Sequence, residues 1–185
     1  MKILKILIIL SSILVTNSIV LSSAHAASAY ELDRDARQAL QKLYAKNPKA
    51  AEIANQATAA LVFPTIVKAG FIFGAQGGDG PLISNGGTIG YYHTSAVSYG
   101  LQAGVQKYSY VLFFMNHRAL NYINKSGGWE IGTGPSIVIV DTGMAKSVSL
   151  KTLNKDVYAF VFSQKGLMAG LGLQGSKITR YTPSE

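Results

Sequence analysis

The N-terminal part of the chain carries apolar residues at helical spacing. Asn47-Pro48 interrupts the pattern, and a proline suits the first turn of a second helix that continues through Ala57. We therefore predict a pair of helices over residues 30–62, ended by Pro64. In the first helix the apolar face is formed by Leu32, Ala36, Ala39, Leu40 and Leu43, with basic and amide side chains opposite.

After Pro64 the pattern changes to short β-branched, aromatic and glycine-rich runs. We interpret Gly77-Gly78-Asp79-Gly80-Pro81 as a turn and Asn85-Gly86-Gly87 as a hairpin turn. Residues 116–124 predict one short helix capped by Asn116. The other runs predict strands over residues 66–76, 82–84, 88–94, 98–114, 129–133, 136–140, 146–152, 157–162 and 167–174.

Strands that follow a helical layer are typical of the α+β class. Glycines inside the strands allow sharp curvature of a sheet. The sequence therefore predicts an N-terminal helical pair packed on a curved or barrel-like, mainly antiparallel, glycine-rich β-sheet, with one short inserted helix.

Residues 1–26 have the three parts of a signal peptide. Lys2 and Lys5 precede an apolar stretch from Ile6 to Leu14, and Ala24-His25-Ala26 supplies the small residues of a cleavage site. We predict cleavage after Ala26, a single domain over residues 27–185, and a periplasmic or secreted protein that can associate peripherally with a membrane.

The charge balance is basic. The formal net charge is +8; without the predicted signal peptide the seventeen Lys and Arg fall to fifteen against nine acids, a net charge of +6. Outside the cytoplasm such a surface favours anionic lipid headgroups or acidic polymers. Lysines spaced only for solubility are the alternative. Nucleic acid is not expected, because the basic residues do not alternate with aromatic ones.

Residues suited to catalysis are few. The chain has no cysteine, which excludes disulfides and thiolate metal sites, and neither His93 nor His117 has a partner at metal-ligand spacing. A small hydrolase using Asp79, His93 or Ser95 is one alternative. We predict no enzymatic activity, no metal and no cofactor.

Gly170, Gly172 and Gly175 have the spacing G-x-G-x-x-G. A dinucleotide-binding fingerprint needs a strand before it and a helix beginning within it. Here the glycines lie in an apolar pattern of period two that no helical pattern follows. We interpret Gly166, Gly170 and Gly172 as structural glycines of closely packed strands, with Gly166 at a positive φ.

Several motifs, in order along the chain, resemble the SYLF domain family. They are AALVFP (59–64), VKAGF (67–71), GGDG (77–80), YGLQAGVQ (99–106), FFMN (113–116) and SQKGLMAG (163–170). The resemblance runs from about residue 50 to 180 and implies a non-catalytic lipid-binding domain. Residues 88–95 depart from the eukaryotic pattern, so the phosphoinositide preference of eukaryotic members is not carried over. Actin is not expected as a partner of an exported chain.

We therefore predict a lipid-binding protein of the cell envelope that contacts anionic phospholipid headgroups through a basic amphipathic helix and the adjacent surface. The predicted contacts are Arg34, Arg37, Lys42, Lys46 and Lys68. The alternatives are an integral outer-membrane β-barrel, which an export signal and glycine- and aromatic-rich strands also fit, and an envelope structural protein without a specific ligand.

Overall fold

The computed structural model describes residues 27–99, 104–125, 127–140, 154–166, 173 and 175–184. The helices within these ranges are α1 (Ala29–Lys46), α2 (Pro48–Ala54) and α3 (His117–Tyr122). The strands are β1 (Ala59–Gly70), β2 (Phe73–Ser84), β3 (Gly87–Tyr99), β4 (Gly104–Phe114), β5 (Trp129–Glu130), β6 (Ile137–Val140), β7 (Val157–Gly166) and β8 (Lys177–Tyr181).

The eight strands form one sheet with the order β5-β8-β3-β2-β1-β4-β7-β6. Every pair is antiparallel except β6 and β7, which run parallel. The sheet curls into a half-barrel, and α1 and α2 pack against its outer face. This confirms the predicted α+β fold with a helical pair, a curved, mainly antiparallel sheet and a short inserted helix.

Each face of the sheet has its own core. The inner core surrounds Trp129, Phe63 and Phe114, and the rings of Phe114 and Trp129 lie 5.9 Å apart. Three tyrosines buried in this core donate hydrogen bonds from their hydroxyl groups: Tyr92 to Asn124, Tyr108 to Gln76 and Tyr110 to Thr94. Burial raises the pKa of Tyr108 to about 12, so this phenol stays neutral inside the half-barrel.

The outer core joins the helices to the sheet. It contains Ala36, Ala39 and Leu43 of α1, which are almost wholly buried where the helix lies over β1 and β2, and it continues through Val62 of β1 to Val111 and Phe113 of β4. The side chain of Ser28 accepts from the backbone of Glu31 and fixes the start of α1. The predicted apolar face of the first helix is thus the face that packs on the sheet.

The predicted break at Asn47-Pro48 is confirmed, but the predicted helical extent is wrong. Asn47 caps α2 by accepting from the N–H of Ala50, and α2 ends at Ala54. Strand β1 begins at Ala59 and contains Pro64, where the register with β4 shifts. The first half of β1 is buried on both sides, and a short apolar run of this kind has no period that separates strand from helix. A proline is tolerated in a strand at such a bulge.

The predicted turn at Gly77-Gly78-Asp79-Gly80-Pro81 is also wrong. These residues lie inside β2, and the hairpin between β1 and β2 turns at Phe71 and Ile72 instead. A Cβ at Gly78 would strike the carbonyl oxygen of Thr65, and one at Gly80 that of Val62. The glycines are therefore required for the close approach of β1 to β2. In the sequence the same glycines were interpreted as a turn signal.

The predicted hairpin turn after β2 is confirmed. Asn85 and Gly86 have φ values of 50° and 78°, as a two-residue turn with positive φ at both positions requires. Asn116 caps α3 as predicted, accepting from the N–H of Ala119 at 2.8 Å. Gly166 ends β7 at a φ of 115°. The strand predicted at 146–152, Gly170, Gly172 and the predicted signal peptide lie outside the described residues. Of the strand predicted at 167–174, the structure describes Leu173 alone. Strand β8 was not predicted.

Asp156 joins α3 to the end of the sheet where β6 and β7 begin. Its carboxylate accepts from Asn116 Nδ2 at 2.9 Å, from the N–H of Ser136 at 2.9 Å and from Arg118 at 2.8 Å. The hydrogen bond from Asn116, followed by those from Ser136 and Arg118, holds the pKa of Asp156 well below its usual range.

We expect Gly80→Ala to lower the free energy of unfolding by about 1–3 kcal/mol, because the new methyl group would press on the backbone of β1. The matched control is Gly87→Ala, whose added Cβ would meet only Ser84 O at 3.9 Å. Urea unfolding of both variants measures the difference. Equal stability of the two variants would contradict the close-approach explanation.

We expect Asp156→Asn to make stability less dependent on pH. Because the folded pKa of Asp156 is depressed, its stabilisation is complete above the unfolded value of about 3.9. It is lost as the pH falls from that value toward the depressed one. Denaturant midpoints measured between about pH 7 and pH 2 should fall more steeply in the wild type than in Asp156→Asn. Parallel curves would show that Asp156 does not carry this dependence.

Candidate functional site

A cavity of about 530 Å³ opens between α1 and the outer face of the sheet. Helix α1 supplies one wall, and the middle of β1 and β4 together with the last residues of β7 supplies the floor and the other wall. We call this cavity the basic cleft. It is lined by Asp35, Gln38, Ala39, Lys42, Lys46, Pro64, Thr65, Lys107, Tyr108, Ser109, Ser163, Gln164 and Lys165.

Irregularities in both ladders of β4 form the floor of the basic cleft. The β1–β4 register shifts between Phe63 and Ile66, and the β4–β7 register shifts between Lys107 and Ser109. On the β7 side Ser163 adopts a φ of 56°, a left-handed conformation that costs a non-glycine residue energy. On the β1 side the Ser109 hydroxyl donates to the carbonyl oxygen of Pro64 at 2.7 Å. Such bulges redirect side chains and commonly lie beside functional sites.

Four lysines make the cleft strongly positive. Lys42 and Lys46 come from α1, and Lys107 and Lys165 lie directly opposite each other on β4 and β7. Like charges opposite each other across two strands are destabilising, and a bound anion would relieve the repulsion. Asp35 is the acid among the lining residues, and its carboxylate is held by Arg34 at 2.9 Å.

The structure brings together two of the five predicted headgroup contacts. Lys42 and Lys46 line the cleft. Arg34 is paired with Asp35 beside it, and Arg37 donates to the carbonyl oxygen of Gly86 at 3.3 Å in the β2–β3 turn. Lys68 is only 7% exposed. By the alternation of β1 it shares the inner face with buried Ile66, so it lies away from the other four.

Sequence reasoning missed Lys107 and Lys165 as site residues. Both contribute to the basic surplus after residue 101, but they are 58 positions apart in the sequence. Only the antiparallel pairing of β4 with β7 places them opposite each other. The alternating pattern of β4, with Lys107 on the face opposite Tyr108, was the one available signal that Lys107 points outward.

A second polar pair lies elsewhere on the outer face. Asp79 and His93 are register partners on β2 and β3, with Asp79 Oδ1 2.6 Å from His93 Nδ1. Ser95 follows on the same face of β3 and is paired with Gly77 and Lys177. The structure therefore brings together two of the three residues considered for a hydrolase, as a cross-strand pair.

Within the described ranges, no three His, Cys, Asp or Glu side chains gather as a metal site would need. In the same part of the chain, no helix has both the length and the apolar character to cross a bilayer.

The model of the family described as "Ysc84: Las17-binding protein actin regulator" matches residues 95–184. The matched segment runs from the second half of β3 to the end of β8, and it contains Lys107 and Lys165 of the basic cleft. No curated protein matches the chain.

Proposed function

Residues 95–184 belong to the Ysc84 family, the SYLF domain family, and from this membership and the basic cleft we propose that the protein binds anionic phospholipid headgroups. The family points to lipid binding or to a function related to actin regulation. The observation that carries the more specific proposal is the group of four lysines around one cavity.

The chemistry of the cleft suits a phosphate group. Lysine ammonium groups bind phosphate as point charges, and the hydroxyl and amide groups of Thr65, Ser163 and Gln164 can complete the hydrogen bonds to its oxygens. A cavity of about 530 Å³ is within the range of small-molecule sites, so a headgroup can enter while its acyl chains remain outside.

Helix α1 contributes its charged face to this binding. Its apolar face is buried on the sheet through Ala36, Ala39 and Leu43, so that face cannot enter a bilayer while the fold is intact. The helix therefore holds Lys42 and Lys46 against a rigid strand surface. This differs from an amphipathic helix that binds membrane by burying its own apolar side.

We propose that the protein is exported and that it binds the membrane surface without catalysing a reaction. The predicted signal peptide motivates the location, and it also argues against carrying the Las17 and actin interactions in the family's description over to this chain. We interpret Asp79 and His93 as a structural cross-strand pair.

We expect the chain without residues 1–26 to co-sediment with phosphatidylglycerol vesicles at low salt and to bind phosphatidylcholine vesicles much more weakly. Each lysine near an anionic surface contributes about 1 kcal/mol, so Lys107→Ala with Lys165→Ala should weaken binding by about 30-fold. Raising the salt concentration should weaken binding by the wild type, because exposed charges are screened.

The matched control is Lys125→Ala with Lys155→Ala, which removes the same charge from exposed positions outside the cleft. It should change the affinity by less than about threefold, since only screened long-range attraction is lost. Equal losses of affinity in the two double variants would show that binding depends on a diffuse basic surface and not on the cleft. Absence of binding by the wild type would refute the proposed function itself.

A further inference from the structure

A bare apolar surface lies on the outer face of the sheet, beyond the part that the helices cover. We call it the apolar tip. On β3, Val97 is 90% exposed and Tyr99 is 77% exposed; in the β1–β2 hairpin, Phe71 is 67% and Phe73 is 74% exposed. The remaining members are Val67, Ile72 and Val105. Isolated exposed apolar residues are ordinary, but a contiguous group of this kind marks a contact surface.

Strand register makes these residues neighbours. Phe73 lies opposite Tyr99 with ring centroids 5.1 Å apart, and Ala75 lies opposite Val97. On the other side Ala69 lies opposite Val105. The side chains therefore form one surface over the ends of four adjacent strands.

The hairpin between β1 and β2 presents its aromatic residues at a narrow end. Gly70 and Gly74 are register partners, and a Cβ on Gly70 would lie 2.5 Å from Gly74 Cα. The two strands close around the turn because neither residue has a side chain. From residue 69 to residue 75 the sequence AGFIFGA contains no charged or hydrogen-bonding side chain.

Basic residues border the apolar tip. Lys107 lies opposite Val67, Lys165 lies opposite Lys107, and Lys177 lies opposite Ser95. The strand segments that form the tip, residues 67–70, 73–76, 95–99 and 104–107, contain no Asp or Glu. The tip is thus an apolar surface with a positive border, continuous with the basic cleft through Lys107.

We infer that the apolar tip inserts into the interface of an anionic phospholipid bilayer while the lysines beside it remain among the headgroups. This inference rests on the proposed function for its partner and adds a second site of contact. Phenylalanine side chains favour the acyl boundary, and the amphipathic ring of Tyr99 suits the interface. The positive border complements anionic headgroups.

A bilayer explains this surface better than a protein partner. The exposed aromatics lie at the end of a hairpin and on the outward side of the strands, a shape that a fluid lipid layer can accommodate without a matching pocket. The cations lie along the border of the tip on β4, β7 and β8. Apolar contact combined with attraction to anionic lipids is how interfacial segments bind membranes.

The first test compares Phe71→Ser with Phe73→Ser, as a double variant, against Tyr30→Ser with Ile89→Ser. The control residues are also exposed and apolar, at 75% and 50%, but lie outside the tip. The tip variant should bind phosphatidylglycerol vesicles about tenfold more weakly or worse, because apolar area no longer leaves water. The control should bind within about twofold of the wild type. Both variants should melt within a few degrees of the wild type, since the substituted side chains are exposed and Phe73→Ser removes only the surface contact with the Tyr99 ring.

The second test measures depth. The chain has no cysteine, so one introduced cysteine can carry an environment-sensitive fluorophore, at Ile72→Cys in the tip or at Asn121→Cys, an exposed position of α3. With phosphatidylglycerol vesicles the label at residue 72 should shift to the blue and be quenched by nitroxide on lipid chains. The label at residue 121 should do neither.

The outcomes separate this inference from the proposed function. Wild-type binding with an unshifted label at residue 72 would overturn the insertion and leave headgroup binding intact. Failure of the wild type to bind anionic vesicles would overturn both. A blue shift that grows with protein concentration without vesicles would show that the tip joins two copies of the chain, which also overturns the inference.

Discussion

The position of helix α1 on the outer face of the sheet determines how the rest of the surface is divided. Its small buried residues, Ala36 and Ala39, let the helix approach β1 and β2 closely, and Leu43 completes the outer core. This contact covers the part of the sheet that β1 and β2 contribute near Val62 and Ile83. The remainder of this sheet face forms the open basic cleft in its middle and the exposed apolar tip near the β1–β2 hairpin. One packing contact therefore separates the structural, polar and apolar regions of a single sheet face.

The cleft depends on departures from regular β-structure that have an energetic cost. Ser163 is held at a positive φ, and Lys107 is held opposite Lys165. Both arrangements disfavour the folded state by modest amounts. Buried neighbours in β4, such as Tyr110 and Val111, keep the strand in place despite them. Strain and like-charge repulsion that recur at one cavity are typical of a binding site, since an anionic ligand offsets the repulsion.

Periodicity was sufficient for the first helix, for the break after it and for the overall class, but not for the end of the second helix or for the course of β1 and β2. The apolar face of α1, its break at Asn47-Pro48 and the Asn85-Gly86 turn each follow from local rules, and each is confirmed. Gly78 and Gly80 could not be interpreted locally, because the atoms that exclude a side chain there belong to another strand. Local rules identify only part of the candidate site. Lys42 and Lys46 could be identified from helical spacing, whereas Lys107 and Lys165 become neighbours only through the register of the sheet. Lys68 was grouped with them by charge alone, although β1 turns it inward.

The proposed headgroup binding at the cleft and the proposed insertion of the apolar tip are compatible with one orientation on a membrane. Lys107 lies level with Val67, and Phe71 follows four residues later along the strand direction. With a rise of about 3.3 Å per residue, the hairpin end lies about 13 Å beyond the lysine row. The polar layer on each side of a bilayer is roughly 5–8 Å thick. Lysines held at the phosphate level would therefore place the Phe71 and Phe73 rings past the headgroups, in the outer part of the acyl chains. A chain with the lysines alone would bind by charge and be released by salt, whereas the proposed apolar contact would make binding less sensitive to ionic strength.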